Sequence, residues 1–206
     1  LGKPASEAEL PGDNFGDFGM KSLISWVAGA LFAMTTAAAA QPADLDPENT
    51  IYMDLEYGRV VIALRPDLAP NHVERFKELA RSGFYDGLTW HRVIEGFMAQ
   101  TGDPVGDGTG GSDLPNLKAE FNDQKHTRGA LSMARASDIN SANSQFYLVL
   151  DDSNHLDGQY TYFGHVVEGM EFVDQIRKGN PARNGTVTYP DRIVQMQVMA
   201  DAEEAE

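Results

Sequence analysis

The chain has 206 residues, of which 42% are hydrophobic and 9% aromatic, and a formal net charge of −15. Its size suits one hydrophobic core with appendages and argues against two full domains; its acidity argues against a nucleic-acid partner, which needs Lys and Arg in excess along some face. It contains no cysteine, which excludes a disulfide framework, thiolate zinc sites, a cysteine nucleophile and a lipid-modified N-terminal cysteine.

In chain order, residues 1–19 carry Glu7, Glu9, Asp13 and Asp17. Such acidity opposes the positive start that an export signal wants. The expectation is that natural translation begins at Met20 and that 1–19 is a non-native upstream extension. Residues 20–40 then follow the order of a secretory signal: Met20-Lys21-Ser22, an apolar run from Leu23 to Met34, and small residues through Ala40 that offer an A-x-A cleavage site. Cleavage before Gln41 is expected, which would place the mature protein in the periplasm and let it meet the membrane only during export. An uncleaved anchor is the competing reading, since Leu23 to Ala40 is nearly long enough for the roughly 20 residues of a span.

Residues 41–49 are rich in Pro and Asp without apolar periodicity, and read as a flexible lead-in. Residues 50–55 alternate as a strand, 56–59 can turn, and Val60 to Leu64 make a β-branched return strand, which together predict a hairpin. Val73, Phe76, Leu79 and Ala80 fall at helical spacing over 71–81, after Pro70 and before Gly83. From Phe84 to Phe163, short apolar runs punctuated by Gly, Asn and Asp predict antiparallel strands with long connections and no helix. A second helix is expected over roughly 169–178, with Met170, Val173 and Ile176 on one side. Residues 192–199 alternate as a closing strand, and an acidic tail occupies 200–206. The class is α+β, dominated by β.

Two segments are specific: Trp90-His91-Arg92-Val93-Ile94-Glu95-Gly96-Phe97-Met98-Ala99-Gln100-Thr101-Gly102-Asp103, and Leu131-Ser132-Met133-Ala134-Arg135 running on to Asn143-Ser144-Gln145-Phe146-Tyr147. Both closely resemble the signature segments of cyclophilins. The likeness continues through Asn154-His155-Leu156-Asp157-Gly158 and Tyr162-Phe163-Gly164-His165-Val166, in matching order over about 50–199. It implies a closed antiparallel eight-stranded β-barrel capped by two α-helices, and peptidyl-prolyl cis/trans isomerase activity on proline-containing unfolded or partly folded polypeptides. No metal or cofactor is implied.

The chemistry asks little of the protein. An X-Pro amide is held planar by a barrier of roughly 18–20 kcal/mol. In the twisted state the prolyl nitrogen recovers a lone pair, and a donor that binds it acts only there, so it lowers the barrier. An arginine, charged at any working pH, suits that role. By resemblance Arg92 is the catalytic arginine; Phe97, Met98, Leu156 and Tyr147 wall the proline pocket; Gln100 and Gln145 bond the substrate backbone; Ala134 and Arg135 offer main-chain groups along the groove. On a strand, residues two apart share a face, so Gln145 and Tyr147 point together and Phe146 points away. A rate gain of about 10⁴-fold would require roughly 5–6 kcal/mol from the whole site.

The sequence departs from the best-known family pattern at His155, where many eukaryotic members carry tryptophan, at Tyr160, where they carry histidine, and at Arg135, where they carry asparagine. The tryptophan helps those members bind cyclosporin, so weaker binding of that drug is expected here. The alternative function is a non-catalytic proline-segment binding or chaperone module of the same fold, which retention of Arg92 opposes. A hydrolase ranks third, since no Ser/His/Asp or paired-carboxylate arrangement emerges. Gly106 to Gly111 has the composition of a phosphate loop but lacks a following helix, and reads as a solvent loop bordering the groove. The five histidines are too scattered for a metal site. Nothing suggests a coiled coil or repeat, so a monomer is expected.

Overall fold

A computed structural model describes residues 45–203. The predicted extension, the signal and the start of the lead-in lie outside the described residues, as do 204–206. Eight strands form one sheet: β1 (Thr50–Leu55), β2 (Gly58–Leu64), β3 (Arg92–Ile94), β4 (Met98–Thr101), β5 (Ala130–Met133), β6 (Phe146–Val149), β7 (Tyr162–Glu168) and β8 (Ile193–Val198). Their order is β3-β4-β6-β5-β7-β2-β1-β8, and every ladder is antiparallel. The predicted hairpin is present, with Leu55 facing Gly58 across a two-residue turn. Gly58 is required there, because a Cβ would enter the ring of Phe172.

Alternation divides the sheet between two apolar clusters. Inward residues such as Val93, Ala99, Leu131, Phe146 and Leu148 join the main core, while Met98, Ala130, Tyr147 and Val149 join a smaller cluster on the other face with Leu156 and Tyr162. Helix α1 (Pro70–Arg81) covers the main core with the four apolar residues its spacing predicted, all buried. Phe76 packs edge-on against Phe146 and Phe163, and tilted against Tyr85. Its N-cap, Ala69, has no capping side chain. The cap comes from afar: the Glu120 carboxylate accepts the backbone N–H groups of Asn71 and His72 at 3.2 and 3.0 Å, and meets Nδ1 of buried His72 at 2.6 Å. That arrangement satisfies donors that a helix start leaves open.

The structure differs from expectation in four places. The sheet curls without a β3–β8 ladder among the described residues; the isolated pair Thr89–Arg192 and bonds such as Trp90 N–H to Asp191 C=O at 2.9 Å join its ends. The outer edge of β3 is taken instead by the loop over 179–187, through Val93 N–H to Gly185 C=O and Gly179 N–H to Val93 C=O. Secondly, helix α2 is the single turn Met170–Val173, shorter than 169–178. Beyond it, the carbonyls of Asp174 and Ile176 accept from the Lys178 ammonium, which leaves Val173 and Ile176 buried without a continuing helix. Thirdly, Pro47–Asn49 in the lead-in form a 3-10 turn capped by Asp46. Glu48 there accepts hydrogen bonds from Arg81 and Lys77, which hold its carboxyl down to about 2. Fourthly, the tail begins as helix α3 (Met199–Glu203), and its Asp201 pairs with Arg81.

Candidate active site

Register places the site. Arg92 on β3 faces Gln100 on β4, Gln100 faces Tyr147 on β6, and Tyr147 faces Ser132 on β5. These four side chains form a row across four strands on the face away from the main core. Arg92 is half-buried there, and its acceptors are neutral. Its Nε donates to the Asn184 carbonyl at 3.1 Å, Nη2 to Asn184 Oδ1 at 3.0 Å, and Nη1 to Gln100 Oε1 at 3.0 Å. Burial lowers its pKa from the ordinary guanidinium value, yet a guanidinium starts so high that it stays charged. Nη1 also reaches the neutral Met98 sulfur at 4.0 Å, so the bonds leave one N–H free on Nη2.

The hydrogen bonds continue through neutral amides. Gln100 Nε2 donates to Gln145 Oε1 at 2.9 Å, and Gln145 Nε2 donates to the carbonyls of Gly108 and Gly110 at 3.1 and 2.8 Å. Those carbonyls belong to the glycine-rich loop, which does border the groove. Buried Asp103 shapes it by accepting the N–H groups of Val105, Asp107 and Gly108.

A hollow of about 340 Å³ opens beside Arg92, walled by Phe97, Met98, Tyr147 and Leu156. His155 lies over Phe97 with ring centroids 5.3 Å apart. Tyr160 packs edge-on to Tyr147 at 5.9 Å, and Arg135 lies over the Tyr160 ring at 4.7 Å. Burial drives the Tyr147 phenol upward in pKa, with the neighbouring Ser132 hydroxyl opposing. Neither hydroxyl has a partner of full hydrogen-bond geometry, so the pocket floor stays unionised and largely apolar. Every residue the sequence singled out lines this hollow except Gln145; Gln145 lines an adjoining hollow of about 380 Å³ that shares Gln100, Ala134 and Arg135 with the first.

Two contributors were missed. Asn184, which holds the guanidinium, sits in a left-handed conformation at φ 52°, brought against β3 because a Cβ at Gly185 would collide with Ile94. The Asn-Gly pair is a turn signal, but nothing local says which strand that turn reaches. Gln159 lines the hollow and its carbonyl anchors Arg135 at 3.1 Å. Among the described residues no group of three or more His, Cys, Asp or Glu is placed to hold a metal; His72 and His126 pair instead with Glu120 and Asp157.

Comparison with known proteins finds relatives over the residues that carry this fold. The family model for cyclophilin type peptidyl-prolyl cis-trans isomerases matches residues 50–198. A Brucella suis protein named "Probable peptidyl-prolyl cis-trans isomerase" is 47% identical over 194 residues, covering 88% of this chain and 99% of its own. The Bacillus subtilis "Peptidyl-prolyl cis-trans isomerase B" is 44% identical over 134 residues, 64% of this chain and 93% of that one. Among solved structures, the cyclophilin AquaCyp293 of Hirschia baltica aligns with a TM-score of 0.68 at 28% identity, over 76% of each chain. A Cryptosporidium parvum cyclophilin type isomerase, crystallised in the presence of the dipeptide Ala-Pro, aligns at 0.66 and 27%, over 72% of this chain and 98% of that one.

Proposed function

The chain belongs to the cyclophilin type peptidyl-prolyl cis-trans isomerase family, and from that premise we propose that it isomerises X-Pro bonds by presenting the Arg92 guanidinium to the prolyl nitrogen of the twisted amide. The observation that carries this reading is a charged guanidinium held only by neutral acceptors at the mouth of an apolar hollow. Because Gln100 and Asn184 orient it in advance, no reorganisation is needed as the barrier is crossed. Phe97, Met98, Leu156 and Tyr147 grip the pyrrolidine ring while the preceding carbonyl swings, and Gln100 with Gln145 and the main chain near Ala134 hold the flanking backbone. Half-burial strengthens the interaction relative to bulk water. The Ala-Pro dipeptide of the Cryptosporidium parvum crystal supports proline-containing peptides as the substrate class.

A proline-peptide isomerisation assay on the purified protein tests this. Arg92→Ala should lower kcat/KM by about 10²–10³-fold, the usual cost of removing one transition-state donor, with its urea midpoint little changed. Equal turnover by wild type and mutant, or equal inertness, would end this reading.

The clients we propose are exported proteins, reached in the periplasm after removal of residues 20–40. Support is the order Met20-Lys21-Ser22, apolar run, small residues. Fractionation of the source cells with mass analysis of the native protein tests it: an N-terminus at Gln41 in the periplasmic fraction is expected, and a mature protein retaining Leu1 in the cytoplasm would refute it.

A further inference from the structure

Arg135 shares with Arg92, Arg183 and Arg192 the lack of a carboxylate partner among the ion pairs of the described residues, and differs from Arg183 and Arg192 in lining the candidate site. In this acidic chain Arg59, Arg65, Arg75, Arg81, Arg128 and Arg177 all face a carboxylate. Arg135 takes part in none of the ion pairs among the described residues; its acceptors are the main-chain carbonyls of Ala136 and Gln159. Those bonds and the stacking on Tyr160 at 4.7 Å fix the guanidinium in place. They use three of its five N–H groups, so two remain for a ligand.

Its position gives those donors a use. Arg135 lines both the 340 Å³ hollow and the adjoining 380 Å³ hollow. Among the described residues it is the only ionisable group lining the second, whose other polar walls include Gln100, Thr109, Ser112, Asn116, Asn143 and Gln145. No carboxylate lines either hollow. A third hollow, of about 440 Å³, also touches Arg135 but carries Asp107, which disfavours an anion there.

We propose that Arg135 is a specificity-determining residue: it selects peptides with an aspartate or glutamate within three residues of the isomerised proline, the acidic side chain lying in the second hollow. This rests on the isomerase reading for the placement of proline in the first hollow. An extended peptide advances about 3.3 Å per residue, so a side chain in a hollow sharing a wall with the first belongs to a near neighbour of proline. A planar guanidinium with free donors suits a carboxylate better than any neutral side chain. The overall negative charge does not cancel the attraction, because charges beyond about 8 Å are largely screened at physiological salt while the local guanidinium is not.

The test is a peptide series in which Glu, Gln or Lys replaces Ala at each of three positions on either side of Ala-Pro, read as kcat/KM and, separately, as Kd by calorimetry. At one position the wild type should favour Glu over its isostere Gln by about threefold or more, the scale of a partly exposed ion pair. The preference should shrink at about 0.5 M salt, persist in Arg135→Lys, vanish in Arg135→Gln, and turn towards Lys in Arg135→Glu. A Glu/Gln ratio near one at every position, or a ratio indifferent to these substitutions in folded variants, would overturn the proposal. If the neutral Ala-Pro peptide binds but is not isomerised, the isomerase mechanism fails, and the Kd ratios still decide the role of Arg135.

Discussion

Asn184→Gly isolates the support of the Arg92 guanidinium. The wild-type side chain supplies one of three full-length hydrogen bonds to that group, Nη2 to Oδ1 at 3.0 Å, while the Asn184 carbonyl and Gln100 supply the others. Glycine is the informative replacement, because position 184 has φ 52°: Gly adopts that conformation freely, whereas Ala would add strain unrelated to the bond. A hydrogen bond to a charged group contributes about 1.5–3 kcal/mol, equivalent to about 10- to 150-fold in rate if it is felt wholly in the transition state. With two acceptors remaining, the loss should fall near the lower end, about tenfold in kcat with KM little altered. The proline-peptide assay measures this beside urea unfolding. A folded Asn184→Gly protein whose kcat stays within about twofold of wild type, far below the expected loss, would refute the view that the Asn184 side chain orients the guanidinium.

Glu120→Ala removes the remote cap of α1 and leaves His72 Nδ1–H without its acceptor in a buried place. A lost cap costs about 0.5–2 kcal/mol and a buried unpaired donor about 1–3 kcal/mol, so urea unfolding should show a loss of about 1.5–5 kcal/mol; a loss under about 1 kcal/mol would contradict the capping role. Stability should also fall in mild acid. Burial lowers the pKa of His72, His91 and His126, opposed at His72 by Glu120 and at His126 by Asp157. The unfolded chain therefore binds protons below about pH 6.5 that the native state refuses, and stability present above that pH is lost as pH falls, at up to about 1.4 kcal/mol per pH unit for each histidine. At Glu120 burial acts upward, but the hydrogen bonds from His72 and Asn71 outweigh it and the net shift is downward. At Asp157 the backbone N–H of His126 leads the downward shift, to about 2. The stability these carboxylates contribute is present above the unfolded values near 4 and lost as pH falls further. Urea titrations from pH 8 to 5 that stay flat would contradict the buried, neutral assignment. Finally, His155→Trp should tighten cyclosporin binding measured by calorimetry; unchanged affinity would show that position 155 does not limit it.

Much of this protein was legible from local signals. The 50–64 hairpin follows from alternation and a turn, α1 from apolar spacing between Pro70 and Gly83, and the pairing of Gln145 with Tyr147 on one face from the two-residue period of a strand. The ordered motifs named the candidate pocket residues, including Arg92, and the departures at His155, Tyr160 and Arg135. Those signals depend only on neighbours in the chain or on short ordered patterns, which is why they survive without coordinates.

What the tertiary structure alone decided concerns partners far apart in sequence. Asn184 meets Arg92, Glu120 caps a helix starting at Pro70, and the Lys178 ammonium takes the Asp174 carbonyl that a longer α2 would have bonded to backbone N–H. The edge of β3 is filled by the 179–187 loop, so the two ends of the curled sheet meet through isolated contacts and not through a ladder that would close a barrel. Periodicity records which face of an element is apolar, but it carries no information about which distant carbonyl, carboxylate or strand edge will satisfy a given hydrogen bond. That choice is made when the whole chain closes around one core and each buried polar group must find an acceptor or donor wherever the fold brings one.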